Sequence, residues 1–400
     1  MDAVPCVRVS RCHAQQFRKS LESQGVLDCS LGLLKDSDKT VLLPILPSCV
    51  SQLDLQSLKT SSSNTCEVVW SRELWPSKKE RGKTSHCKLE KILRELLECH
   101  GEKWSEEVRR DIPRNFQRHG DLVLLGDRSF SLPLWKKMDQ ELWSAVASGL
   151  GAKRVAKMSR VSSDRFRSPV VAVLLGDHSW VKHVDNGISY EFDVTKSMFS
   201  AGNITEKLRI AEFNCREETV VDLYAGIGYF TLPYLVHASA SHVHACEWNP
   251  DAVEALRKNL EANGVSDRCT IHQGDNRQLA LCDLADRVNI GLIPSSEDSW
   301  PVACRLLKRT TGGILHIHHN VTSPLPNRAV SAVTSNADAQ FPTDREAWQA
   351  WASDTANRIT SLLKDITGAA WVTNIQHIER VKSYAPHVHH VVLDLECRPY

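Results

Sequence analysis

The chain has 400 residues, 42% hydrophobic and 24% charged, which is enough for two or three globular domains with a sizeable core. Its net charge of +1 excludes a polycation, so any nucleic-acid contact has to come from a local basic patch. No apolar run approaches the roughly 18–20 residues of a membrane span, and the 13 scattered cysteines form no C-x-x-C pair. Reduced thiols in a cytoplasmic, monomeric chain are expected, with no membrane partner and neither a disulfide framework nor a zinc ribbon. The N-terminus, "MDAVPCVRVSRCHAQQF", lacks the apolar region and cleavage site of a secretory signal.

In chain order, "HAQQFRKSLESQGVL" reads as a helix and Thr40–Leu46 as a strand. A serine-rich run around Ser61–Asn64 reads as a linker. Leu89, Ile92, Leu93, Leu96 and Leu97 fall on one face of a helix over Lys83–Cys99. Asp121–Gly126 and Pro169–Gly176 read as strands, and Trp180–Val194 as a hairpin turning on Asn186-Gly187. Trp180, Tyr190 and Phe192 are expected to pack that hairpin rather than stack on bases. The expected organisation is a variable segment (1–60), a linker and helix (61–100), a small α+β domain (101–193) and a larger domain (194–400).

Beyond residue 194 strands alternate with helices. A helix at Ile204–Phe213 leads to strand Thr219–Leu223, then to "HVHACEWN", a helix from Pro250 to Gly264, "CTIHQGD" and "RVNIGLIP". A helix around Pro301–Leu307 and the strand "GGILHIHHNV" follow, then a long Pro/Ser-rich loop. A helix (Arg345–Leu363) and two strands (Trp371–Gln376, His389–Leu395) close the chain. The alternation predicts a parallel sheet covered on both faces, with right-handed crossovers.

"VVDLYAGIGYFTLP" (Val220–Pro233) puts Asp222 at a strand end, followed by Gly226 and Gly228. Thr231 stands where a dinucleotide fingerprint has its third glycine, and an acid at the strand end would repel a pyrophosphate. The same acid suits a ligand with an amine or a sulfonium. Glu247 ends the next strand, where a carboxylate can accept both ribose hydroxyls. Asp275-Asn276 end the third, where they can meet an adenine edge. Acids at three successive strand ends form the S-adenosylmethionine arrangement. The structural alternatives are a plain tight turn, a solvated strand end and a helix cap.

"MFSAGNITEKLRI", "VVDLYAGIGYFTLP", "CEWNP", "GDNR" and "GLIPSSE" together resemble the tRNA wybutosine-synthesizing protein 2 family, related to the tRNA guanine-N1 methyltransferases. The resemblance implies an α/β fold: a class I S-adenosylmethionine-dependent methyltransferase-like Rossmann domain behind a smaller α+β domain on the tRNA side. It implies transfer of the 3-amino-3-carboxypropyl group of S-adenosyl-L-methionine to C7 of 4-demethylwyosine at position 37 of tRNA(Phe), with release of methylthioadenosine and no metal. It also implies that Ser200 and Lys207 contact the methionine portion, Glu247 the ribose, and Asp275 and Asn276 the adenine. Two alternatives are guanine-N1 methylation at the same nucleotide and a non-catalytic S-adenosylmethionine- or tRNA-binding module.

Asn203 or Thr205 can cap the helix that carries Lys207, whose ammonium suits a carboxylate. In the loop of Gly291, Pro294 and Ser295, methyltransferase relatives place an Asn before Leu-Pro or Pro-Pro. Gly291 stands there instead, leaving room, and Asn289 lies earlier within the strand. Glu297 is a candidate general base, with helix-dipole chemistry as its alternative. The run Lys153–Arg167, with Lys153, Arg154, Lys157, Arg160, Arg165 and Arg167, is the candidate phosphate patch, its alternative a solvated loop. His316–His319 and His387–His390 read as half-buried strand histidines rather than a metal site.

Overall fold

The computed structural model describes residues 3–37, 39–53, 66–73, 78–162, 166, 168–323 and 343–400. The expected linker Ser61–Asn64, most of the Pro/Ser-rich loop, and Arg165 and Arg167 lie outside the described residues. The chain forms two units, Met1–Met198 and Phe199–Tyr400. No helix among the described residues is long and apolar enough to cross a membrane.

In the first unit, β1 (Val4–Ser10), β2 (Leu34–Lys35), β3 (Thr40–Pro44) and β4 (Glu67–Ser71) make an antiparallel sheet of order β2-β3-β1-β4. Helix α1 (Ala14–Ser23) buries Phe17 and Leu21 among Val7, Val9, Leu43 and Ile45. Helix α2 (Lys78–Cys99) buries Leu89, Leu93 and Leu97, as the heptad-like spacing predicts. It is followed by α3 (Glu106–Asp111), β5 (Gln117–His119), β6 (Leu122–Gly126) and α4 (Asp139–Leu150). A Cβ on Gly149 of α4 would stand 2.8 Å from Leu89 Cδ1, so glycine lets α2 and α4 touch there. β7 (Arg154–Val161) and β8 (Pro169–Leu175) complete a sheet of order β5-β6-β7-β8. β9 (Trp180–Asp185) and β10 (Ile188–Asp193) form the expected hairpin. Asn186 and Gly187, at φ 47° and 80°, supply the left-handed pair a type I′ turn requires. Tyr190 and Phe192 are buried within this unit.

In the second unit, α5 (Ile204–Ala211) leads to β11 (Thr219–Asp222), α6 (Thr231–Val236), β12 (His242–Glu247), α7 (Pro250–Ala262) and β13 (Cys269–Gln273). β14 (Arg287–Ile290), α8 (Trp300–Leu306), β15 (Gly313–Thr322), α9 (Asp344–Thr367), β16 (Trp371–Ala385) and β17 (Val388–Pro399) follow. The seven strands lie in the order β13-β12-β11-β14-β15-β17-β16. The first five are parallel; β17 runs antiparallel to both β15 and β16. The all-parallel expectation therefore fails at this edge. Only Pro386 and His387 separate β16 from β17, too few residues for a crossover, so the pair must be a hairpin. Both strands outrun the expected Trp371–Gln376 and His389–Leu395; β16 does so because it is an edge strand rich in polar residues and carries no apolar run.

Trp300, Ile290, Leu315, Ile359 and Leu393 fill the core between the sheet and α8 and α9. Asn249 caps α7 by accepting from Asp251 N–H at 3.0 Å, and Pro250 opens the helix. Thr343 and Glu346 make a capping box on α9. The cap expected for α5 is not made: Asn203 holds the N-cap position with no side-chain bond, and Thr205 lies inside the helix.

Candidate active site

β11 ends at Asp222, which is in register with Ala245 of β12 and Asn289 of β14. The carboxylate is fully buried. Oδ2 accepts from Thr231 Oγ1 at 2.8 Å and Oδ1 from Asn289 Nδ2 at 2.9 Å. Burial raises its pKa, and these bonds oppose the rise. Asp222 thus ties the strand end to α6 and to β14, rather than standing open to a sulfonium as its position suggests. The same bond explains Thr231 in place of a third glycine. Gly226 has φ +55°, and a Cβ there would stand 2.6 Å from Tyr229 Cε2; Gly228 has φ +101°. Both therefore need glycine.

At the end of β12, Glu247 Oε2 accepts from Gly226 N–H and Oε1 from Asn249 N–H, each at 2.8 Å. Burial raises its pKa against those bonds. The second strand-end acid is thereby locked onto the glycine turn. Asp275, after β13, accepts from Arg277 N–H at 3.0 Å and pairs with its guanidinium, which holds the carboxyl below its ordinary pKa. Asn276 is buried and engaged at both ends: Nδ2 donates to Leu223 O at 2.7 Å, and Oδ1 accepts from Ser299 Oγ at 2.9 Å. It joins the end of β11 to the start of α8, and its amide is committed inside the fold.

Lys207 on α5 is 2% exposed. Its ammonium lies 4.4 Å from the ring centre of Phe199 and 5.8 Å from that of Tyr229, the side chain that also covers Gly226. Ser200 follows Phe199 and accepts from Asn203 N–H through its backbone oxygen. The glycine turn and the Lys207 helix therefore share one aromatic wall. Beside Lys207, Glu206 is fully buried and pairs with Arg209, which also grips Asp394 of β17; Asp394 in turn takes His316 Nδ1 at 2.6 Å. The sequence does not signal this network, since Glu206 and Arg209 at i and i+3 have the spacing of an ordinary solvated pair.

Gly291 is not the open space expected of it. A Cβ there would stand 3.2 Å from both Asn289 Nδ2 and the Phe230 ring. The amide absent from the loop thus arrives from Asn289, two residues earlier. The Ile293–Pro294 peptide is cis, and Pro294 O accepts from Asn320 N–H at 2.9 Å. Ser295 Oγ accepts from Glu297 N–H. Glu297 itself pairs with Arg358 at 2.5 Å, and that guanidinium lowers its pKa. A carboxylate so held is a weaker base, which counts against the role considered for it.

Arg154 cannot serve a phosphate patch. It is 6% exposed, its guanidinium lies 2.5 Å from Asp121, and it donates to the backbone oxygens of His178 and Trp180. Lys157 donates to Ser129 O at 2.6 Å, whereas Lys153 and Arg160 are exposed. Residues 154–161 form β7, not a loop. His316, His318, His389 and His390 are buried, whereas His319 and His387 are half-buried as expected, and no cluster among the described residues is arranged to hold a metal.

Residues 181–341 match the TRM5/TYW2 methyltransferase domain, and residues 93–179 and 7–80 match two TYW2 N-terminal domains. The chain is 59% identical to the tRNA wybutosine-synthesizing protein 2 homolog of Danio rerio over the whole of both chains. It is 47% identical to the Homo sapiens homolog, covering 99% of this chain and 95% of that one. The crystal structure of P. horikoshii TYW2 in complex with MeSAdo is 28% identical, covers 78% of this chain and 99% of that one, and superposes with a TM-score of 0.56. With these matches along its whole length, the chain belongs to the tRNA wybutosine-synthesizing protein 2 family.

Proposed function

We propose that the protein transfers the 3-amino-3-carboxypropyl group of S-adenosyl-L-methionine to C7 of 4-demethylwyosine at position 37 of tRNA(Phe), releasing methylthioadenosine. The observation that carries this reading is full-length identity of 59% to a protein named for wybutosine synthesis. The strand-end geometry fits the donor. Glu247, held by two backbone N–H groups, keeps lone pairs for ribose hydroxyls, and Asp275 stands at the adenine end. Lys207, flanked by Phe199 and Tyr229, offers an ammonium to the methionine carboxylate, with Ser200 nearby. MeSAdo in the P. horikoshii structure is the thioether left when the carboxypropyl chain departs.

The sulfonium carries three electrophilic carbons, and alignment decides which one reacts. Asn289 Nδ2 donates to Asp222 inside the sheet. The loop itself carries Gly291 where the methyltransferase relatives carry an amide, and that difference disfavours N1 methylation. Contacts with the tRNA backbone fall to the first unit, with Lys153 and Arg160 as its exposed cations in β7 and its approach.

The test is a reaction of labelled S-adenosylmethionine with phenylalanine tRNA from cells lacking the enzyme. Methylthioadenosine plus an alkylated base is the expected result. S-adenosylhomocysteine with a methylated base would overturn the reading.

A further inference from the structure

β17 runs antiparallel to β15, and Val388 at its start is in register with Thr322 at the end of β15. The tip of the β16–β17 hairpin therefore lies at the carboxyl ends of the parallel strands, the edge at which ligands of such sheets bind. The register also ties the tip to the loop of Gly291, Pro294 and Ser295. Pro294 O accepts from Asn320 N–H at 2.9 Å, Asn320 is in register with His390, and His390 with Lys382. Two strand spacings, about 10 Å, separate the backbone of Lys382 from that of Asn320. The side chain of Lys382 lies over Gly202, two residues after Ser200: a Cβ on Gly202 would stand 2.8 Å from Lys382 Cδ and Nζ. The tip thus adjoins both the segment before α5 and the strand that holds the Pro294 loop.

Two register shifts interrupt β16 close to the tip. Arg380 faces Val391 and Lys382 faces His390; Ser383 faces His389 and Ala385 faces Val388. Each shift adds one residue to β16, and the second leaves Tyr384 without a cross-strand partner. Such bulges re-aim a side chain and recur beside active sites. Tyr384 is 47% exposed, and Lys382 Nζ lies 4.5 Å from its ring centre. Arg380 is exposed and donates to Ser383 Oγ at 2.7 Å.

The acids nearby are engaged by histidines: Glu379 by His377 at 2.9 Å, and Asp344 by His387 and His389 at 3.2 and 2.9 Å. Among the described residues, Arg380 and Lys382 form no ion pair with a carboxylate. Charges and bulges alone would protect an edge strand from pairing with another chain, but an exposed tyrosine works against that purpose. An open aromatic ring beside two cations suits single-stranded RNA instead, because every base has a face that stacks and the cations neutralise phosphates.

We propose, on the basis of the transfer reaction above, that the hairpin tip grips the unpaired RNA loop around position 37. Tyr384 stacks on a base next to the target, and Lys382 and Arg380 neutralise the phosphates of that stretch. The tip acts on the loop alone, and the exposed cations of β7 serve the rest of the tRNA.

The test measures binding of the full chain to two RNAs, the anticodon stem–loop of phenylalanine tRNA and a duplex of the same length, with donor affinity followed by calorimetry. For Tyr384→Ala, Kd for the stem–loop should rise roughly 5- to 150-fold, the range of one lost base stack. Its affinities for the duplex and for the donor should stay within about threefold of wild type, as for an ordinary surface substitution. Tyr384→Phe keeps the ring and should bind the stem–loop like wild type. Lys382→Gln and Arg380→Gln should each make the slope of log K against log salt shallower by about 0.7, as for one phosphate of a single strand. Stem–loop affinity and salt slopes equal to wild type overturn the proposal. So does an equal loss on the duplex, or a Tyr384→Phe as weak as Tyr384→Ala. A loss matched by weaker donor binding would mean that the tip acts by positioning Gly202, and overturns it too. Failure of the parent reading shows separately: wild type would then yield S-adenosylhomocysteine from precursor tRNA, whereas stem–loop binding is read with no donor present.

Discussion

Arg209 on α5 donates to Asp394 on β17, 185 residues further along the chain, at 3.0 Å. The same guanidinium binds both oxygens of Glu206 at 2.9 and 2.7 Å, so the helix that carries Lys207 is pinned to the antiparallel edge of the sheet. Burial pushes the Asp394 carboxyl up, but His316 and Arg209 pull it down further, and it ends well below its ordinary range. Arg209→Met would leave Glu206, fully buried, without its cation. Breaking a buried pair from one side costs about 3–5 kcal/mol. Urea unfolding should show a drop of this size, and donor affinity should weaken as α5 loosens. A drop under about 1 kcal/mol would mean that the network does not anchor the helix.

Donor binding by the strand-end groups predicts unequal effects. Glu247→Ala removes a charged acceptor and also frees Gly226 N–H, while Lys207→Ala removes the buried ammonium. Hydrogen bonds to charged groups contribute about 1.5–3 kcal/mol, or roughly 10- to 150-fold in Kd. Isothermal titration with S-adenosylmethionine should show weakening in that range for both variants. Asn276→Ala should instead lower stability, since its amide bonds Leu223 and Ser299 inside the fold. Unchanged affinity in Glu247→Ala and Lys207→Ala would displace the donor from this site.

The glycine turn, the acids at the strand ends and the alternation of elements were legible because each depends on local chemistry. A left-handed glycine, a strand-end carboxylate and a 3.6-residue apolar period all appear in a few consecutive residues. What escaped depends on distant partners. Nothing near Asp222 announces that Thr231 and Asn289 will occupy its oxygens, and nothing near Glu297 announces Arg358. Arg154 reads as one of six cations in a basic run, yet Gly176 (φ +113°), whose missing Cβ would meet Arg154 Cγ at 2.5 Å, lets its side chain lie inside the unit. The antiparallel edge is hidden in the sequence because β16 is exposed on much of its length and carries no apolar period.

Buried neutral histidines make the fold acid-sensitive. His390 is 2% exposed, and its pKa falls from 6.5 to about 4, burial being the main cause. The unfolded chain then binds more protons than the folded one between these values. Stability is therefore complete above about pH 6.5 and declines as pH falls toward 4. At pH 5 this one group would cost about 2 kcal/mol, at roughly 1.36 kcal/mol per unit. Asp394 acts lower: its contribution is present above the ordinary carboxylate pKa and disappears only as pH falls through its depressed folded value. Urea midpoints between about pH 7.5 and 5 should fall for wild type and fall less for His390→Gln. Parallel slopes would place the acid sensitivity elsewhere.

Two arginines of one basic run should behave oppositely. Arg154 is enclosed with Asp121 beside it, and the carboxyl of Asp121 is held below its ordinary pKa by that guanidinium. Arg154→Ala should therefore destabilise the first unit by about 1–3 kcal/mol, since it leaves two backbone oxygens without their donor while Asp121 stays partly solvated. Arg160 is exposed on the same strand and should tolerate substitution without a change in melting temperature. If β7 lies along the tRNA backbone, Arg160→Glu and Lys153→Glu should weaken tRNA binding. Each should also make the slope of log K against log salt shallower by about 1 for every phosphate that is no longer neutralised. Donor affinity should stay unchanged in both. A tRNA affinity and salt slope equal to wild type would exclude this strand from the tRNA surface, whatever the stability of Arg154→Ala.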